Sequence, residues 1–424
     1  MCSRRGRAEL VGGVRYQGGA RVSRAISSTP THTKERWTAD QTSSPPAPSN
    51  TSFTLIRLVA TALVRLSRRP VTANPVYDNA VQSAYNQLVL HCLRRGDAAP
   101  MSIPEMVRWA AEQPLESWPI DLPDDWATPD AYLVDDKTRT PTQQCLEWAI
   151  AARDAAAEQF ENELMIDTID QCRTAQAPES YTAFRRLLIT RPVLTGTDLA
   201  LLAEDLDLHL LLESIKKSYE PAPAAYLRDG QYAECARCRC LLAPIGVDEY
   251  RCELDRCHRE HHPKIGRLIE PSVSNGVYQL ARPLRMFITG PGLAETDLET
   301  ALIAKGLPPE MWPNFDAYDL RITLPNSQIW AVDVKDRANP ALLGQETRCI
   351  PKKPPYHRAF LVAPKYRFDE QESYGRVFAH HVPDEIGDKI ELLSDSDFLR
   401  LVSREVKRIH RNQRQTDEGG TAGA

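Results

Sequence analysis

The amino-acid sequence predicts a multidomain chain of the α plus α/β class, and three patterns carry that prediction. Apolar residues recur at steps of three and four through residues 52–230, which is typical of amphipathic helices. Five of the ten cysteines cluster in residues 235–257. In the last third of the chain, short alternating runs are mixed with helical patterns, which indicates strands packed against helices. We therefore expect an N-terminal helical domain, a small cysteine-rich module at 231–265 and an α/β domain at 266–411.

Charge is unevenly distributed along the chain. Residues 1–75 contain 12 Lys and Arg against 3 Asp and Glu, whereas the whole chain carries a formal net charge of −5. An acidic protein that binds nucleic acid must concentrate its positive charge locally. Residues 1–51 form a basic tail rich in Gly, Ser and Pro, and residues 412–424 form a short polar one. Both are predicted to be disordered.

Composition argues against a membrane protein and against a secreted disulfide scaffold. No run approaches the about 18 consecutive apolar residues of a membrane span, so no membrane segment is predicted. The cysteines are clustered rather than spread along the chain as a disulfide framework. That clustering favours a reducing compartment, and hence a cytoplasmic protein.

The predicted helical domain, residues 52–230, shows no catalytic constellation. Leu55, Val59 and Leu63 form its first apolar stripe. His91 and His209 lie within apolar patterns of this kind, where a histidine usually packs rather than binds a ligand. We interpret the region as an all-helical scaffold or partner-binding domain.

Two cysteine pairs are spaced as ligands of a structural zinc ion. Cys235 and Cys238 form one pair, and Cys252 and Cys257, with a longer spacing, form the other. Four thiolates satisfy tetrahedral Zn²⁺ and leave no position for a catalytic water, so the module is predicted to be a structural zinc ribbon. Its arginines would suit a phosphate backbone, and a plain solvated surface explains them equally well. The spare candidate ligands are Cys240, His258, His261 and His262.

Residues 316–335 are predicted to form two strands joined by a turn. Apolar residues alternate with polar ones on either side of a Pro-Asn-Ser sequence that supplies the turn chemistry. A three-residue loop pairs Leu320 with Val332 and Ile322 with Trp330. This register puts the apolar side chains on one face, as a half-buried hairpin requires.

The same register sets Asp319 opposite Asp333 on the other face, with Lys335 two residues further on. Carboxylates on facing residues lie about 5 Å apart and repel one another, so a bound divalent cation is the best reason for the arrangement. Lys335 would stabilise an anion developing there. Asp316 falls on the opposite face of the strand and is left out of the site. An exposed charged face of an ordinary hairpin is the alternative interpretation.

Two further groups of residues supplement Asp319, Asp333 and Lys335 in the predicted site. A predicted upstream helix carries Glu295 and Glu299 on one face, and Glu295, in the first turn, is preferred as the third carboxylate. Arg321 shares the face of the aspartates, where it would hold a phosphate or pair with an acid. Lys352 and Lys353 form a basic loop and are also candidate phosphate-binding residues.

The order of these elements resembles the PD-(D/E)xK nuclease superfamily. A helix with Glu295 or Glu299, a strand with Asp319 and a strand with Asp333-Val334-Lys335 match its motif, and a helix and a strand follow. The resemblance covers roughly residues 275–400. It implies a restriction-endonuclease-like mixed sheet flanked by helices. It also implies that the acids bind Mg²⁺ and that the lysine positions or activates the attacking water.

The chain departs from that motif in two places, and its domain order narrows the resemblance. Tyr318 precedes the first aspartate where the motif has proline, and Asp333 stands in place of glutamate; both departures are common in the family. The helical region contains Tyr181-Thr-Ala-Phe-Arg185 and Leu188-Ile-Thr-Arg-Pro192. Followed by a four-cysteine module and a nuclease-like domain, it looks like the restriction-endonuclease-related protein encoded with PIWI-type proteins and a helicase in bacterial conflict islands. That resemblance implies a role in defence, with these two proteins as partners.

We therefore expect a Mg²⁺-dependent endonuclease acting on DNA. Asp319, Asp333 and Glu295 would bind the magnesium ion, and Lys335 would act beside it. Two other classes stay open: a nuclease fold that binds nucleic acid without cutting it, and a zinc-ribbon adaptor whose helical domain docks a partner. Sequence preference and the choice between DNA and RNA do not follow from these patterns.

Overall fold

The structure is a computed structural model that describes residues 50–68, 75–126, 131–151, 155–258, 263–387 and 389–420. Nearly all of the predicted basic tail at 1–51 lies outside these residues. The prediction of a disordered tail from residue 412 is wrong as far as Gly420, where the last helix ends. No proline or glycine interrupts that helix between Asp395 and Glu418, so nothing stops it earlier.

Helices dominate the first half of the described chain, as predicted. Local capping fixes several of their ends: Asp78 accepts a hydrogen bond from the backbone N–H of Val81 at 2.9 Å, and Gly96 ends the same helix with a left-handed φ of 77°. The helices are α1 Asn50–Arg68, α2 Asn79–Arg95, α3 Ile103–Glu112, α4 Gln143–Ala151, α5 Ala155–Ala175, α6 Pro178–Thr190, α7 Gly196–Leu202 and α8 Leu212–Ser218.

This region is not all-helical as predicted, because two short strands join it to the C-terminal half. Strands β1 (Val193–Thr195) and β2 (Tyr219–Pro221) pair antiparallel with opposite edges of β7 (Val277–Leu280). Strands of three residues are too short to show alternation, so the sequence pattern does not reveal them.

The cysteine-rich module contains two small antiparallel ladders. One pairs β3 with β6, and the other pairs β4 with β5 between the two cysteine pairs. The elements are β3 Tyr232–Cys235, β4 Ala243–Pro244, β5 Tyr250–Arg251, α9 Asp255–His258 and β6 Ile265–Ile269.

The C-terminal part is built on a five-stranded mixed sheet in the order β12-β11-β10-β9-β8. The pairs β10–β11 and β11–β12 are parallel, while β9 pairs antiparallel with both β10 and β8. The elements after β7 are α10 Arg282–Leu284, α11 Gly290–Ile303, β8 Glu310–Met311, α12 Pro313–Asp316, β9 Leu320–Thr323, β10 Ile329–Val334, α13 Pro340–Glu346, β11 Arg358–Ala363, α14 Lys365–Glu370, α15 Tyr374–His381, α16 Asp384–Gly387, β12 Glu391–Ser394 and α17 Asp395–Gly420.

Both faces of this sheet are buried. The side chains on one face form a core with α6, α11 and α17, and those on the other pack against α13 and α15. The first face contains the alternating apolar residues of the predicted hairpin, namely Leu320, Ile322, Leu324, Trp330, Val332 and Val334. Helices therefore flank the sheet on both sides.

Hydrophobic cores cross the predicted domain boundaries. One core combines Val59 and Trp148 of the helical region with Cys238 of the cysteine module and Leu342 of α13. The described residues accordingly belong to one compact unit. Among them, no helix is both long enough and apolar enough to cross a membrane.

Candidate active site

The hairpin β9–β10 places the first two predicted carboxylates side by side. Leu320 pairs with Val332 and Ile322 with Trp330, which confirms the predicted register. Asp319 directly precedes β9 and is 4% exposed, and its carboxylate accepts a hydrogen bond from the backbone N–H of Val334 at 2.6 Å. Strand β10 therefore fixes one oxygen of Asp319 at the end of the hydrogen-bonded pairing between β9 and β10.

Asp333 and Lys335 follow on β10 and immediately after it. The Nζ atom of Lys335 donates to the carboxylate of Asp333 at 2.8 Å. Burial lowers the pKa of Lys335, but the charges of Asp333 and Asp319 outweigh burial, and its pKa is raised. The backbone N–H of Lys335 donates to the carbonyl of Val362 on β11, which fixes the main chain here. Lys335 is thus a charged ammonium group held beside two carboxylates.

Glu295 enters this cluster from α11. It is 2% exposed and accepts a hydrogen bond from the indole Nε1 of Trp312 at 2.5 Å. Glu299, the alternative third carboxylate, forms a two-pronged ion pair with Arg186, both bonds being 2.9 Å. Of the two glutamates, the structure places Glu295 among the aspartates.

Two residues that the sequence argument did not include complete the cluster. The guanidinium of Arg185, on α6, donates to Glu295 at 2.9 and 3.2 Å, lies 3.6 Å from Asp319, and pairs with Asp316. Asp316 also accepts a hydrogen bond from Tyr181 at 3.1 Å. Placing Asp316 on the opposite face of the strand was therefore wrong.

The backbone before β9 explains that error. Residues Trp312, Asn314, Phe315 and Asp316 all have positive φ angles, between 47° and 70°. The four-residue segment α12 is therefore not a regular α-helix, and the chain turns sharply here instead of extending the strand. No glycine marks this turn, and positive φ is uncommon for other residues. The turn presents Asp316 to Arg185 and the face of the Trp312 ring to the same guanidinium, 5.3 Å from the ring centroid.

Burial and crowding shape the protonation of the acids. Burial, together with the charges of Glu295 and Asp333, holds the pKa of Asp319 well above its usual range. Burial raises the pKa of Glu295 as well, although Arg185 opposes the effect. The two carboxyl groups accordingly lose their protons less readily than exposed acids do, and a nearby cation favours their ionised forms.

The candidate phosphate-binding residues have other contacts. Arg321 pairs with the exposed Glu310 of β8 at 3.0 Å, which is the salt bridge that the sequence offered as its alternative role. Lys352 lies over the ring of Tyr356, 4.2 Å from its centroid, and Lys353 is exposed in the same loop. Phosphate binding by Arg321, Lys352 and Lys353 stays a prediction.

The four predicted zinc ligands lie together. Cys235, Cys238, Cys252 and Cys257 are buried, and their sulfur atoms lie within 4.8 Å of one another. The Sγ–Sγ distances are 3.9 Å for Cys235–Cys257 and 3.3 Å for Cys238–Cys252. A tetrahedral ion with Zn–S bonds of about 2.3 Å has sulfur–sulfur edges of about 3.8 Å, so the quartet fits zinc. By the same distance criterion the described residues offer one other group, Asp125, His380 and His381.

Comparisons with known families match two parts of the chain. Residues 55–195 match the family described as pPIWI_RE three-gene island domain Y, and residues 292–410 match the REase associating with pPIWI_RE. The searches of curated proteins and of solved structures found no match. Arg185 lies in the first matched segment, whereas the four carboxylates and Lys335 lie in the second.

We call Glu295, Asp316, Asp319 and Asp333, together with Arg185 and Lys335, the acid cluster. It is assembled from both matched segments, and the cysteine quartet lies between these segments in the sequence. The fold agrees with this division, since a mixed sheet flanked by helices underlies the second segment. On these two matches, the chain belongs to the restriction-endonuclease-related proteins of the pPIWI_RE three-gene islands.

Proposed function

We propose that this protein is a Mg²⁺-dependent endonuclease that hydrolyses phosphodiester bonds in DNA. The pairing of β9 with β10 carries the proposal. It brings the buried Asp319 beside the ion pair of Asp333 and Lys335, within the segment similar to a restriction endonuclease. Buried, like-charged carboxylates next to a lysine are a common feature of catalytic sites.

The residues present fit a magnesium ion. Carboxylate oxygens are the ligands that Mg²⁺ prefers in proteins. When all four carboxyl groups are ionised, they outnumber the two cations that face them, Arg185 and Lys335, by two charges. The Oδ1 atom of Asp316 is buried without a hydrogen-bond partner among the described residues. A divalent cation would balance this charge, with Asp319, Asp333 and Glu295 as its ligands.

Each residue has a distinct task in the proposed reaction. A bound Mg²⁺ ion would polarise the scissile phosphate and lower the pKa of a water molecule. Asp319 is held for metal binding by the N–H of Val334. Lys335 is fixed beside Asp333, from where its ammonium group would orient the attacking water or stabilise charge on the phosphate. Arg321 would have to leave Glu310 to hold a phosphate.

The family descriptions support a proposal for the biological setting. One matched family is described as domain Y of the pPIWI_RE three-gene island, and the other as an REase associating with pPIWI_RE. We infer that the protein serves bacterial defence in the cytoplasm, together with a PIWI-type protein and a helicase, and that the domain Y segment provides the contact with a partner.

A plasmid-nicking assay tests the proposal directly. Supercoiled DNA is incubated with Mg²⁺ and wild type, Asp333→Ala or Lys335→Ala. The matched control is Asp369→Ala, because Asp369 is exposed and pairs only with the exposed Lys365 of the same helix, α14, in the contacts described. We expect wild type and control to cut, and both site variants to lose about 100-fold or more of the rate. Equal cutting by all four proteins would contradict the proposal, and a parallel assay on RNA decides the substrate class.

One observation favours a second function, binding without cleavage. Arg185 already supplies the acids with a counter-ion, so the cluster is partly neutralised by the protein itself. A protein that binds DNA, with no detectable heat of Mg²⁺ binding by calorimetry and no cutting with the partner proteins added, would support this second function.

A further inference from the structure

A second group of ligand-type side chains involves none of the residues of the acid cluster. Asp125 lies in the short 3-10 turn Asp124–Trp126, and His380 and His381 end helix α15. One ligand atom of each residue lies within 4.8 Å of the other two. Asp125 belongs to the segment similar to domain Y, while the two histidines belong to the segment similar to the nuclease.

His381 is held in one orientation by its neighbours. Its ring lies edge to face against Trp126, with centroids 4.6 Å apart. The turn that carries Trp126 is itself fixed, because Asn339 donates to the Trp126 carbonyl at 2.9 Å. The Nε2 atom of His381 is nevertheless buried and has no hydrogen-bond partner among the described residues. A buried imidazole nitrogen normally has a partner, which is a hydrogen-bonding group or a metal ion.

His380 and Asp125 complete a set of three candidate metal ligands. The rings of His380 and His381 lie 5.0 Å apart at an angle of 76°, and one nitrogen of each lies within 4.8 Å of a carboxylate oxygen of Asp125. His380 is exposed and Asp125 is half-buried, so the group is open to solvent on one side. Two imidazole nitrogens and one carboxylate oxygen suit a borderline transition-metal ion, whereas Mg²⁺ prefers an all-oxygen shell.

We propose that Asp125, His380 and His381 bind a Zn²⁺ ion that ties the helical region to the α/β region. Water from the open side supplies the fourth ligand of a tetrahedral site. The ion crosslinks the turn Asp124–Trp126 to the end of α15, at a junction where Asn339 and Trp126 already connect the two regions. With the cysteine quartet, each chain then holds two zinc ions.

Metal stoichiometry of the full chain tests the assignment. Wild type, His380→Ala and Asp125→Asn are equilibrated with Zn²⁺, dialysed, and analysed for zinc per chain by mass spectrometry. His410→Ala, which changes an exposed histidine of α17, is the matched control. We expect two zinc ions in wild type and control, and one in each site variant. His380 is exposed, so its removal sacrifices little packing, and circular dichroism checks that each variant is folded.

A thermal shift provides a second measurement. Adding Zn²⁺ to protein that holds one zinc should raise the Tm of wild type and His410→Ala, but not that of His380→Ala or Asp125→Asn. One zinc in every protein overturns the proposal. Two in every protein also overturns it, because the second ion then lies elsewhere. An equal shift with Mg²⁺ overturns the proposed metal class. The cutting-deficient Asp333→Ala should keep both ions, which separates this site from the proposed nuclease function.

Discussion

Arg185 is the residue that links the two matched segments chemically. It is 7% exposed, and its guanidinium reaches three carboxylates and the face of Trp312. Burial lowers the pKa of Arg185, but the charges of Asp316 and Glu295 raise it by more than burial lowers it. The pKa is therefore well above its usual value, and the group stays charged. At the proposed magnesium site, this fixed positive charge would partly replace a metal ion and would also compete with one.

Arg185→Met tests this double role. With the guanidinium gone, the acids lose a buried counter-ion, and we expect the metal-free protein to lose about 3–5 kcal/mol of stability toward urea. The more negative cluster should then bind Mg²⁺ more tightly in calorimetry, and Mg²⁺ should restore part of the lost stability. Arg186→Met is the control, because Arg186 pairs with Glu299 instead. Equal Mg²⁺ affinity in both variants and wild type would refute competition by Arg185.

Asp319 gives a pH-dependent prediction. Its folded-state pKa is raised by burial and by Glu295 and Asp333, so stability is lost as the pH rises from the unfolded value of about 3.9 through the folded one. Asp319→Asn cannot ionise, and its amide oxygen can still accept from Val334. Without metal, the variant should match wild type in acid and exceed its Tm at neutral pH, while losing Mg²⁺-dependent cutting.

Thermal unfolding from pH 3 to pH 8 in the presence of a chelator measures the effect. Asp369→Asn is the control, since Asp369 is an exposed partner of Lys365. If the Tm of wild type and that of Asp319→Asn change with pH in parallel, ionisation of Asp319 does not destabilise the folded protein, and the prediction is contradicted.

At the scale of elements, local patterns predicted strands better than the turns and packing between them. The register of β9 and β10 followed from alternation and a three-residue loop, and the structure confirms it. The sharp turn before β9 has no glycine and so left no signal, and Asp316 was misplaced for that reason. Arg185 acts on the site from a helix far earlier in the sequence. No local rule connects such residues, although the stretch from Tyr181 to Arg185 already carried the family resemblance.

Pro291 and Gly292 show how packing between elements overrides a local rule. A Pro-Gly sequence usually marks a turn or loop rather than a helix. Here both residues lie in the first turn of α11, where proline is tolerated. Gly292 is needed because α6 approaches closely: a Cβ at this position would lie 2.4 Å from two side-chain atoms of Ile189. This approach helps to bring Arg185 to Glu295.

Gly292→Ala should therefore destabilise the protein by about 1–3 kcal/mol through overpacking, despite the better helix propensity of alanine. Gly375→Ala is the matched control, because it lies within α15 with its nearest outside atom at 3.5 Å. That change should be neutral or slightly stabilising. Urea denaturation measures both, and a Gly292→Ala protein as stable as wild type would contradict the close approach.

For the whole molecule, the sequence predicted the order of the parts but not how they share their cores. Cysteines, helical residues and residues of α13 contribute to one core, and α6 packs into the core beneath the sheet. Periodicity within a segment shows which face is apolar, yet not which distant segment covers it. The predicted boundaries therefore separate segments of different composition rather than units that fold independently. These segments are 52–230, 231–265 and 266–411.

A fragment of residues 266–424, which extends the predicted nuclease domain 266–411 to include the whole final helix, should consequently not fold alone. Strand β7 would lose both of its neighbours, since β1 and β2 pair with its opposite edges. The sheet core would lose the buried side chains of α6, among them Phe184 and Leu188, and the acids would lose Arg185. We expect poor dispersion in the amide NMR spectrum and no cooperative thermal transition, in contrast to the full chain. A well-dispersed, cooperatively melting fragment would show instead that the α/β region needs no help from the segment similar to domain Y, and that Arg185 is dispensable for the fold.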